Sequence, residues 1–224
     1  MSITLAFDIY GTLIDTHGVK TLLGTMIGGR AGEFSSLWRE KQLEYSFRRG
    51  LMQNYRDFSV CTRDALEYCC RQLGCDLSSA QKDALMQEYR RLPAFPDVEP
   101  CLASLTEQEC RIFAFSNGSA DAVTGLLEHA NIDRYFHGVV SVDELKSFKP
   151  NPAVYAHFLR SSGATGAQAW LISSNPFDVI GAISAGMSAA WVQRTPELVF
   201  DPWGIEPTIT INSLTELGTG IFNN

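Results

Sequence analysis

The chain has 224 residues, of which 45% are hydrophobic and 19% charged, and its formal net charge is −7. This length and apolar content are typical of one globular domain, or of one domain with an insertion, and exclude a largely disordered chain. The acidic balance excludes a nucleic-acid-binding protein, which needs basic surface to neutralise phosphates, and it provides no long-range attraction for a small anionic substrate.

The first predicted element is a buried strand over residues 3–9, where apolar side chains alternate before a glycine-containing loop at Gly11. Asp8 is a carboxylate within this otherwise apolar strand. Because a buried charge is costly unless it is paired, Asp8 either caps the loop that follows or belongs to a functional site.

Between about residues 19 and 93 the sequence predicts helices joined by short turns. Residues 33–49 have the length and apolar spacing of a helix, and Arg39 projects from a mostly apolar face formed with Leu43 and Phe47. An isolated arginine on a helix is most often solvated, so Arg39 by itself does not indicate a site.

Two further helices are predicted in this region. One covers residues 57–73 and ends before Gly74, in the position typical of the glycine that follows a helix. The other begins after Ser78, which forms a capping-box pattern with Gln81. We interpret residues 18–97 as an all-helical insertion.

Strands and helices alternate in the rest of the chain. Asn151 and Pro152 have the pattern of an N-cap and a first helical residue, and Pro176 begins another helix that closes near Gly186. Since such alternation is typical of right-handed βαβ units, we predict a parallel sheet. The predicted strands cover residues 112–115, 138–142, 169–172 and 189–192, with a possible edge strand over 209–211.

The cysteines and the N-terminal stretch bear on the cellular compartment. The six cysteines form no C-x-x-C pair, and the four histidines do not flank them at zinc-ligand spacing. The N-terminal stretch lacks the basic region of a secretory signal, and no segment reaches the roughly 20 apolar residues of a membrane span. We expect a cytoplasmic protein with reduced, inert thiols and no membrane association.

Polar residues follow the predicted strands at positions that a parallel sheet brings to one edge. In open α/β sheets, ligands bind beyond the carboxyl ends of the strands. The sequence therefore predicts a site at this edge. Its residues come from four separate segments: Asp8 with Thr12, Ser116 with Asn117, Lys149, and Ser173 to Asn175 with Asp178.

The string Asp-Ile-Tyr-Gly-Thr-Leu at residues 8–13 resembles the first motif of the haloacid dehalogenase superfamily, whose members use this Asp as a covalent nucleophile. The resemblance covers essentially the whole chain and puts the helical insertion where the superfamily has its cap. The other motifs of the superfamily follow in order: Ser116-Asn117-Gly118, Lys149-Pro150, and Ser173-Ser174-Asn175 with Asp178.

This resemblance implies an α/β fold. The Rossmann-like parallel-sheet core of the haloacid dehalogenase superfamily would comprise residues 1–17 and 98–224, and the inserted helical cap subdomain would comprise residues 18–97.

Two positions differ from the phosphatases of the superfamily. Phosphatases carry a second Asp two residues after the nucleophile, where this chain has Tyr10, and an acidic residue at the start of the last motif, where it has Ser173. Mg²⁺ prefers several oxygen ligands that include carboxylates, so Asp8 and Asp178 beside Lys149 make a poor magnesium site. We expect neither a metal nor a cofactor.

Both departures match the L-2-haloacid dehalogenase branch, and the sequence around Arg39 is similar to the cap helix of that branch. The resemblance implies hydrolysis of a small anionic substrate, a short (S)-2-haloalkanoate, to an (R)-2-hydroxy acid and halide. Asp8 would displace the halide from C2 by SN2 attack, and water would hydrolyse the aspartyl ester. The resemblance also implies a homodimer.

The resemblance also assigns roles to single residues. Arg39 would receive the halide, and Asp178 would activate or position the water. The residues expected to orient the nucleophile and its surroundings are Thr12, Lys149, Ser173 and Asn175. The residues expected to contact the substrate are Tyr10, Leu43, Phe58, Ser116, Asn117 and Tyr155.

Three alternatives stay open. The same nucleophile could open another C2–X bond, such as C–F in fluoroacetate or C–N in a strained cyclic amino acid. The chain could instead be a Mg²⁺-dependent phosphatase of the same superfamily. It could also be a binding protein without catalytic activity, in which the nucleophile and the cations serve no reaction.

Overall fold

The computed structural model describes residues 2–222 and has a six-stranded sheet at its centre. Every neighbouring pair of strands is parallel, so the predicted α/β class is confirmed. The strands are β1 (Ile3–Phe7), β2 (Cys110–Ser116), β3 (Gly138–Ser141), β4 (Ala169–Ser173), β5 (Ser188–Val192) and β6 (Ile209–Ile211).

The strand order β3-β2-β1-β4-β5-β6 puts β1 in the middle of the sheet. Phe7, its last residue, lies beside Ala114 of β2 on one side and Ile172 of β4 on the other. The order of strands reverses at β1, and a crevice at such a switch point is where parallel α/β sheets bind ligands. Asp8, the next residue after β1, stands at this crevice.

Helices cover both faces of the sheet, so the strands are buried on both sides. Leu5 and Phe7 of β1 belong to one apolar cluster, whereas Ala6 belongs to a second cluster on the opposite face. The helices that follow β1 in the sheet-forming part are α5 (Val98–Leu105), α6 (Ala120–His129), α7 (Pro152–Ser162), α8 (Pro176–Ser184) and α9 (Leu217–Phe222).

Four helices lie between β1 and α5, one more than the three whose bounds the sequence predicts. They are α1 (His17–Ile27), α2 (Ala31–Leu51), α3 (Phe58–Leu73) and α4 (Ser79–Glu88). The longest of them, α2, buries a row of side chains spaced four residues apart, because residues at that spacing share one face of a helix. This row is Phe34, Trp38, Gln42 and Ser46.

The predicted end of α3 and start of α4 are confirmed, whereas the helix predicted over residues 33–49 covers Ala31–Leu51. The side chain of Asp57 accepts a hydrogen bond from the backbone N–H of Ser59 (2.7 Å) and so caps α3. Gly74 ends the same helix in the left-handed region, with a φ of 59°. Ser78 and Gln81 form the expected capping box at the start of α4.

Three sequence interpretations need correction or extension. The predicted strand over residues 138–142 ends at Ser141, because Val142 begins a short 3-10 helix that Ser141 caps through its side chain. The helices α5 and α9 are not anticipated by the sequence analysis, and α9 is short, at six residues. The edge strand β6, which the sequence only suggests, is present.

Two findings concern the described residues as a whole. Within residues 2–222, no helix combines the length and the apolar character that crossing a membrane requires. All six cysteines are free thiols, and burial raises the pKa of several of them, with the Cys61 thiol reaching about 11.

Candidate active site

Asp8 carries a carboxylate whose two oxygens have different surroundings. Oδ2 accepts hydrogen bonds from Thr12 Oγ1 (2.9 Å), Ser173 Oγ (3.2 Å) and Asn175 Nδ2 (2.8 Å). Oδ1 accepts one, from Lys149 Nζ at 3.2 Å. A carboxylate oxygen has about two lone-pair sites, so Oδ2 is saturated while Oδ1 keeps electron density for another partner.

Lys149 is the central cation of the site and its side chain is 1% exposed. Its ammonium donates to Asp8 Oδ1, to Asp178 Oδ2 (2.8 Å) and to the backbone carbonyl of Phe115 (2.8 Å). All three ammonium protons are therefore used. Burial by itself would lower the pKa of Lys149, but the two carboxylates outweigh it and raise that pKa above its usual value.

Asp178 lies in the first turn of α8 and is fully buried behind Lys149. Its Oδ1 accepts a hydrogen bond from the hydroxyl of Tyr155 (2.8 Å). Burial raises the pKa of Asp178, and Asp8 raises it further, while Lys149 offsets part of the effect. Asp178 is therefore a stronger base than an exposed carboxylate would be.

Arg39 reaches the site from helix α2. Its Nη1 donates to Gln42 Oε1 at 2.8 Å and its Nη2 donates to Asn175 Oδ1 at 3.3 Å. Asn175 therefore touches both the cation on the helical insertion and the Asp8 carboxylate on the sheet. One amide joins the two parts of the molecule.

These groups surround a small cavity of about 20 Å³. Larger cavities elsewhere in the described residues do not include the Asp8 carboxylate, so cavity size does not identify the site here. The residues that line the small cavity are Asp8, Tyr10, Arg39, Leu43, Phe58, Ser116, Asn117, Lys149, Asn175 and Phe177.

The structure brings the residues singled out by sequence together in two layers. Nine of them line the cavity itself. The other four lie behind the wall and act through hydrogen bonds on those that line it: Thr12, Ser173, Tyr155 and Asp178.

Two tyrosines of the predicted site differ in their position relative to the cavity. Tyr155, expected to contact the substrate, is fully buried, and its hydroxyl points to Asp178, not into the cavity. Tyr10 does line the cavity, and burial raises its pKa to about 12, with Tyr89 contributing and Arg39 opposing. Tyr10 is therefore a neutral wall residue at ordinary pH.

Sequence reasoning gave no role to two residues of the site, Ser174 and Phe177. The Ser174 hydroxyl donates to the carbonyl of Gly11 (2.8 Å) and lies 3.1 Å from Thr12 Oγ1, which ties the last motif to the first. Phe177 lines the cavity beside Arg39. Ser174 stands within the recognised motif, but a lone phenylalanine at a helix start carries no signal that distinguishes a wall residue from a core residue.

The donor set does not fit a divalent cation. Within the described part of the chain, no group of three or more His, Cys, Asp or Glu side chains could hold a metal ion. The two carboxylates of the site, Asp8 and Asp178, both pair with the Lys149 ammonium, and Mg²⁺ prefers several oxygen ligands in near-octahedral geometry.

The structure thus places a buried carboxylate at the end of the central strand, with a buried lysine beside it and a helical insertion that contributes Arg39. A family model for haloacid dehalogenase-like hydrolases matches residues 4–186. The chain belongs to that family, as the four motifs predict.

Two proteins that are similar to this chain are dehalogenases. The (S)-2-haloacid dehalogenase of Pseudomonas sp. (strain YL) is 36% identical over 210 residues, which cover 94% of this chain and 90% of that protein. The haloacetate dehalogenase H-2 of Moraxella sp. (strain B) is 36% identical over 209 residues, or 92% of each chain.

A solved structure shows the same arrangement of elements. The L-2-haloacid dehalogenase from Xanthobacter autotrophicus with chloropropionic acid covalently bound aligns with a TM-score of 0.90. The two chains are 32% identical, and the alignment covers 97% of each. The predicted fold of a haloacid dehalogenase core with helices inserted after the first strand is confirmed.

Replacing Lys149 by Met tests the charge balance of the site. The variant leaves two carboxylates in a buried place without their cation, and we expect the free energy of unfolding at pH 7 to fall by about 3–5 kcal/mol. A carboxyl group with a raised pKa binds its proton more tightly in the folded chain, so lowering the pH favours folding. Urea unfolding from pH 7 to pH 5 should show the deficit shrinking.

The matched control is Lys146→Met. Lys146 is 64% exposed and pairs with Asp143, so the loss should be at most about 1 kcal/mol. Equal losses in the two variants, or a Lys149→Met deficit that grows as the pH falls, would contradict this account of the site.

Proposed function

We propose that this protein hydrolyses short (S)-2-haloalkanoic acids to (R)-2-hydroxy acids and halide. The observation that carries the proposal is the asymmetry of Asp8, which lines the cavity: three donors fix Oδ2, while Oδ1 has a single partner, Lys149. The relatives named above, haloacid dehalogenases of 36% identity, support the choice of substrate class.

In the first step, Asp8 Oδ1 attacks C2 of the substrate in line with the carbon–halogen bond. A C–O bond forms, the C–X bond breaks, and its electron pair leaves with the halide. Oδ2 becomes the carbonyl oxygen of the ester, and the donors on it stabilise that state. Holding the two reactants at about 3–3.5 Å replaces a bimolecular encounter by a positioned one.

Arg39 receives the departing halide, with Asn117 and Phe58 as the other walls of that pocket. During displacement, negative charge moves from Asp8 to the halogen. A guanidinium fixed on the leaving side therefore gains interaction in the transition state, which accelerates the reaction and does not merely bind the substrate.

The substrate carboxylate lies near Ser116 and Lys149, which also positions the nucleophile. The apolar side chains of Leu43 and Tyr10 face the alkyl part of the substrate. These neighbours are few and local, so binding depends on the cavity and not on the acidic surface of the whole molecule.

In the second step, a water that enters beside Lys149 attacks the Asp8 carbonyl carbon. Asp178 accepts a proton of this water, assisted by its raised pKa. The acyl C–Oδ1 bond then breaks, the alkoxide leaves with Oδ1 and takes the proton from Asp178, and Asp8 returns to a carboxylate as the remaining proton passes to solvent. Thr12, Ser173 and Asn175 hold the ester in place. Because water attacks the ester carbonyl and not C2, the single displacement inverts the configuration at C2.

The decisive assay uses the purified protein, (S)-2-chloropropionate and EDTA. We expect chloride and (R)-lactate in equal amounts, because no step needs a metal. Asp8→Asn should release no halide, since its amide is a far weaker nucleophile, whereas Asp121→Asn on the exposed side of α6 should match the unaltered protein.

Failure of the folded protein to release halide from any short 2-halo acid would refute the proposal. Turnover of p-nitrophenyl phosphate that EDTA abolishes would favour a magnesium-dependent phosphatase instead. Tight binding of 2-chloropropionate without conversion would identify a binding protein.

The proposal extends to domain organisation and compartment. Residues 18–97 form the cap subdomain and residues 1–17 with 98–224 the core, so that the cap carries Arg39 and Phe58 to the Asp8 carboxylate. Six free thiols, several with raised pKa values, suit a reducing compartment, and we infer a cytoplasmic enzyme.

The assembly is a homodimer formed through the flank of the cap. Leu51 and Met52, at the end of α2, are 87% and 64% exposed, and Trp203 nearby lines the same apolar cavity as Leu51. Exposed apolar clusters of this kind mark interaction surfaces.

Light scattering should give a molar mass near twice the 24.8 kDa of one chain. Leu51→Glu should shift the protein toward one chain, because a charge in an apolar interface is costly to bury. Val60→Glu, at an exposed apolar residue of α3, should leave the mass unchanged. A single-chain mass for the unaltered protein would contradict the dimer.

A further inference from the structure

Gln42 is a polar side chain of helix α2 that is 1% exposed, although the proposed reaction gives it no task. A buried amide must be hydrogen-bonded to be tolerated, so its partners reveal what it holds. Oε1 accepts from Arg39 Nη1 at 2.8 Å, and Nε2 donates to Thr62 Oγ1 at 2.6 Å.

The chain of hydrogen bonds continues from Thr62 to the wall of the cavity. The Thr62 hydroxyl donates to the backbone carbonyl of Phe58 at 2.9 Å. Arg39 and Phe58 both line the cavity. These hydrogen bonds run from Arg39 through Gln42 and Thr62 to Phe58, and we call them the relay. The relay therefore links two sides of the proposed halide pocket through two buried side chains.

The donors and acceptors fix the direction of each hydrogen bond in this series. A guanidinium has donors and no acceptor, so the Gln42 carbonyl oxygen must face Arg39. The single hydroxyl proton of Thr62 goes to the Phe58 carbonyl, so Thr62 Oγ1 must accept from the Gln42 amide. The amide cannot flip without leaving two buried groups unpaired.

Thr62 makes a second hydrogen bond to helix α2, next to Arg39. Its backbone carbonyl accepts from the indole N–H of Trp38 at 2.8 Å, and Trp38 precedes Arg39 on α2. The Gln42 contact is also the shorter of the two that Arg39 makes, since the bond to Asn175 measures 3.3 Å. Helix α3 thus binds the side chain of the residue before Arg39 and, through Gln42, the Arg39 guanidinium.

We propose that Gln42 and Thr62 are positioning residues that aim the Arg39 guanidinium at the departing halide. An unrestrained arginine side chain loses rotamer entropy when it is held in one place. The relay removes that cost before the substrate arrives. The inference rests on the proposed function, in which Arg39 stabilises charge on the leaving group.

A positioning role predicts a dependence on the leaving group. Chloride leaves less readily than bromide, so displacement of chloride depends more on stabilisation by Arg39. The ratio kcat/KM includes the steps through halide release, even when ester hydrolysis limits kcat. Loss of the relay should therefore lower kcat/KM more for 2-chloropropionate than for 2-bromopropionate.

The experiment compares Gln42→Met and Thr62→Val with the unaltered protein on both substrates. Residues that orient a functional group typically matter by 10–100-fold. We expect kcat/KM for 2-chloropropionate to fall by about that factor in Gln42→Met and by less in Thr62→Val, with the bromo-to-chloro ratio rising at least about threefold. Thr62→Ser, which keeps the hydroxyl, should restore both values.

Ser46→Ala is the matched control, because Ser46 is fully buried on the same face of α2 and its hydroxyl donates to a backbone carbonyl in its own helix. It should leave the bromo-to-chloro ratio unchanged. A Gln42→Met protein that folds with an unaltered ratio would overturn the inference, whatever its overall rate. If Gln42→Met fails to fold, an unaltered ratio in Thr62→Val would overturn it equally.

A structural readout separates this inference from the proposed function. If the unaltered protein releases halide from neither substrate, the proposed function fails and the leaving-group assay has no meaning. A crystal structure of Gln42→Met or Thr62→Val then decides the positioning: a displaced or disordered Arg39 guanidinium supports the relay, and an unmoved one refutes it.

Discussion

The ammonium of Lys149 is the contact on which the rest of the site depends. It stands between Asp8 and Asp178 in a place that solvent hardly reaches, and it also binds the carbonyl of Phe115 at the end of β2. Without a cation there, two buried carboxylates at the end of one sheet would repel each other and lose their charge.

The second constraint joins the helical insertion to the sheet. The amide of Asn175 donates to Asp8 through one end and accepts from Arg39 through the other. The proposed nucleophile and the cation proposed to face the leaving group thus both contact one side chain at the start of α8. The Arg39 contact already measures 3.3 Å, so a displacement of the helical insertion by about one ångström would break it, since N–H···O hydrogen bonds usually measure about 2.7–3.2 Å.

Sequence reasoning predicts those parts of the site that lie at strand ends. Asp8, Ser116 and Ser173 each follow or end an apolar run, and parallel strands must bring their carboxyl ends to one edge. The direction of a buried side chain is not encoded in this way. Tyr155 faces Asp178 and not the cavity because α7 packs beside α8, a relation that spacing along the chain does not carry.

The relay partners illustrate the same limit within the helices. Gln42 lies three residues after Arg39, so their contact follows from helical geometry once α2 is known. Thr62 belongs to another helix, and its contact with Gln42 exists only after α2 and α3 have packed. The short helices α5 and α9 escape prediction for a related reason, since tertiary packing and not local propensity stabilises helices of this length.

The central claim is that Asp8 Oδ1 becomes the hydroxyl oxygen of the 2-hydroxy acid product. A single turnover in H₂¹⁸O, with enzyme in excess over (S)-2-chloropropionate, tests it directly by mass spectrometry of the lactate and of the Asp8 peptide. The account predicts unlabelled lactate and ¹⁸O in the Asp8 carboxylate. Labelled lactate with an unlabelled Asp8 peptide would mean that water attacks C2 itself, and would contradict it.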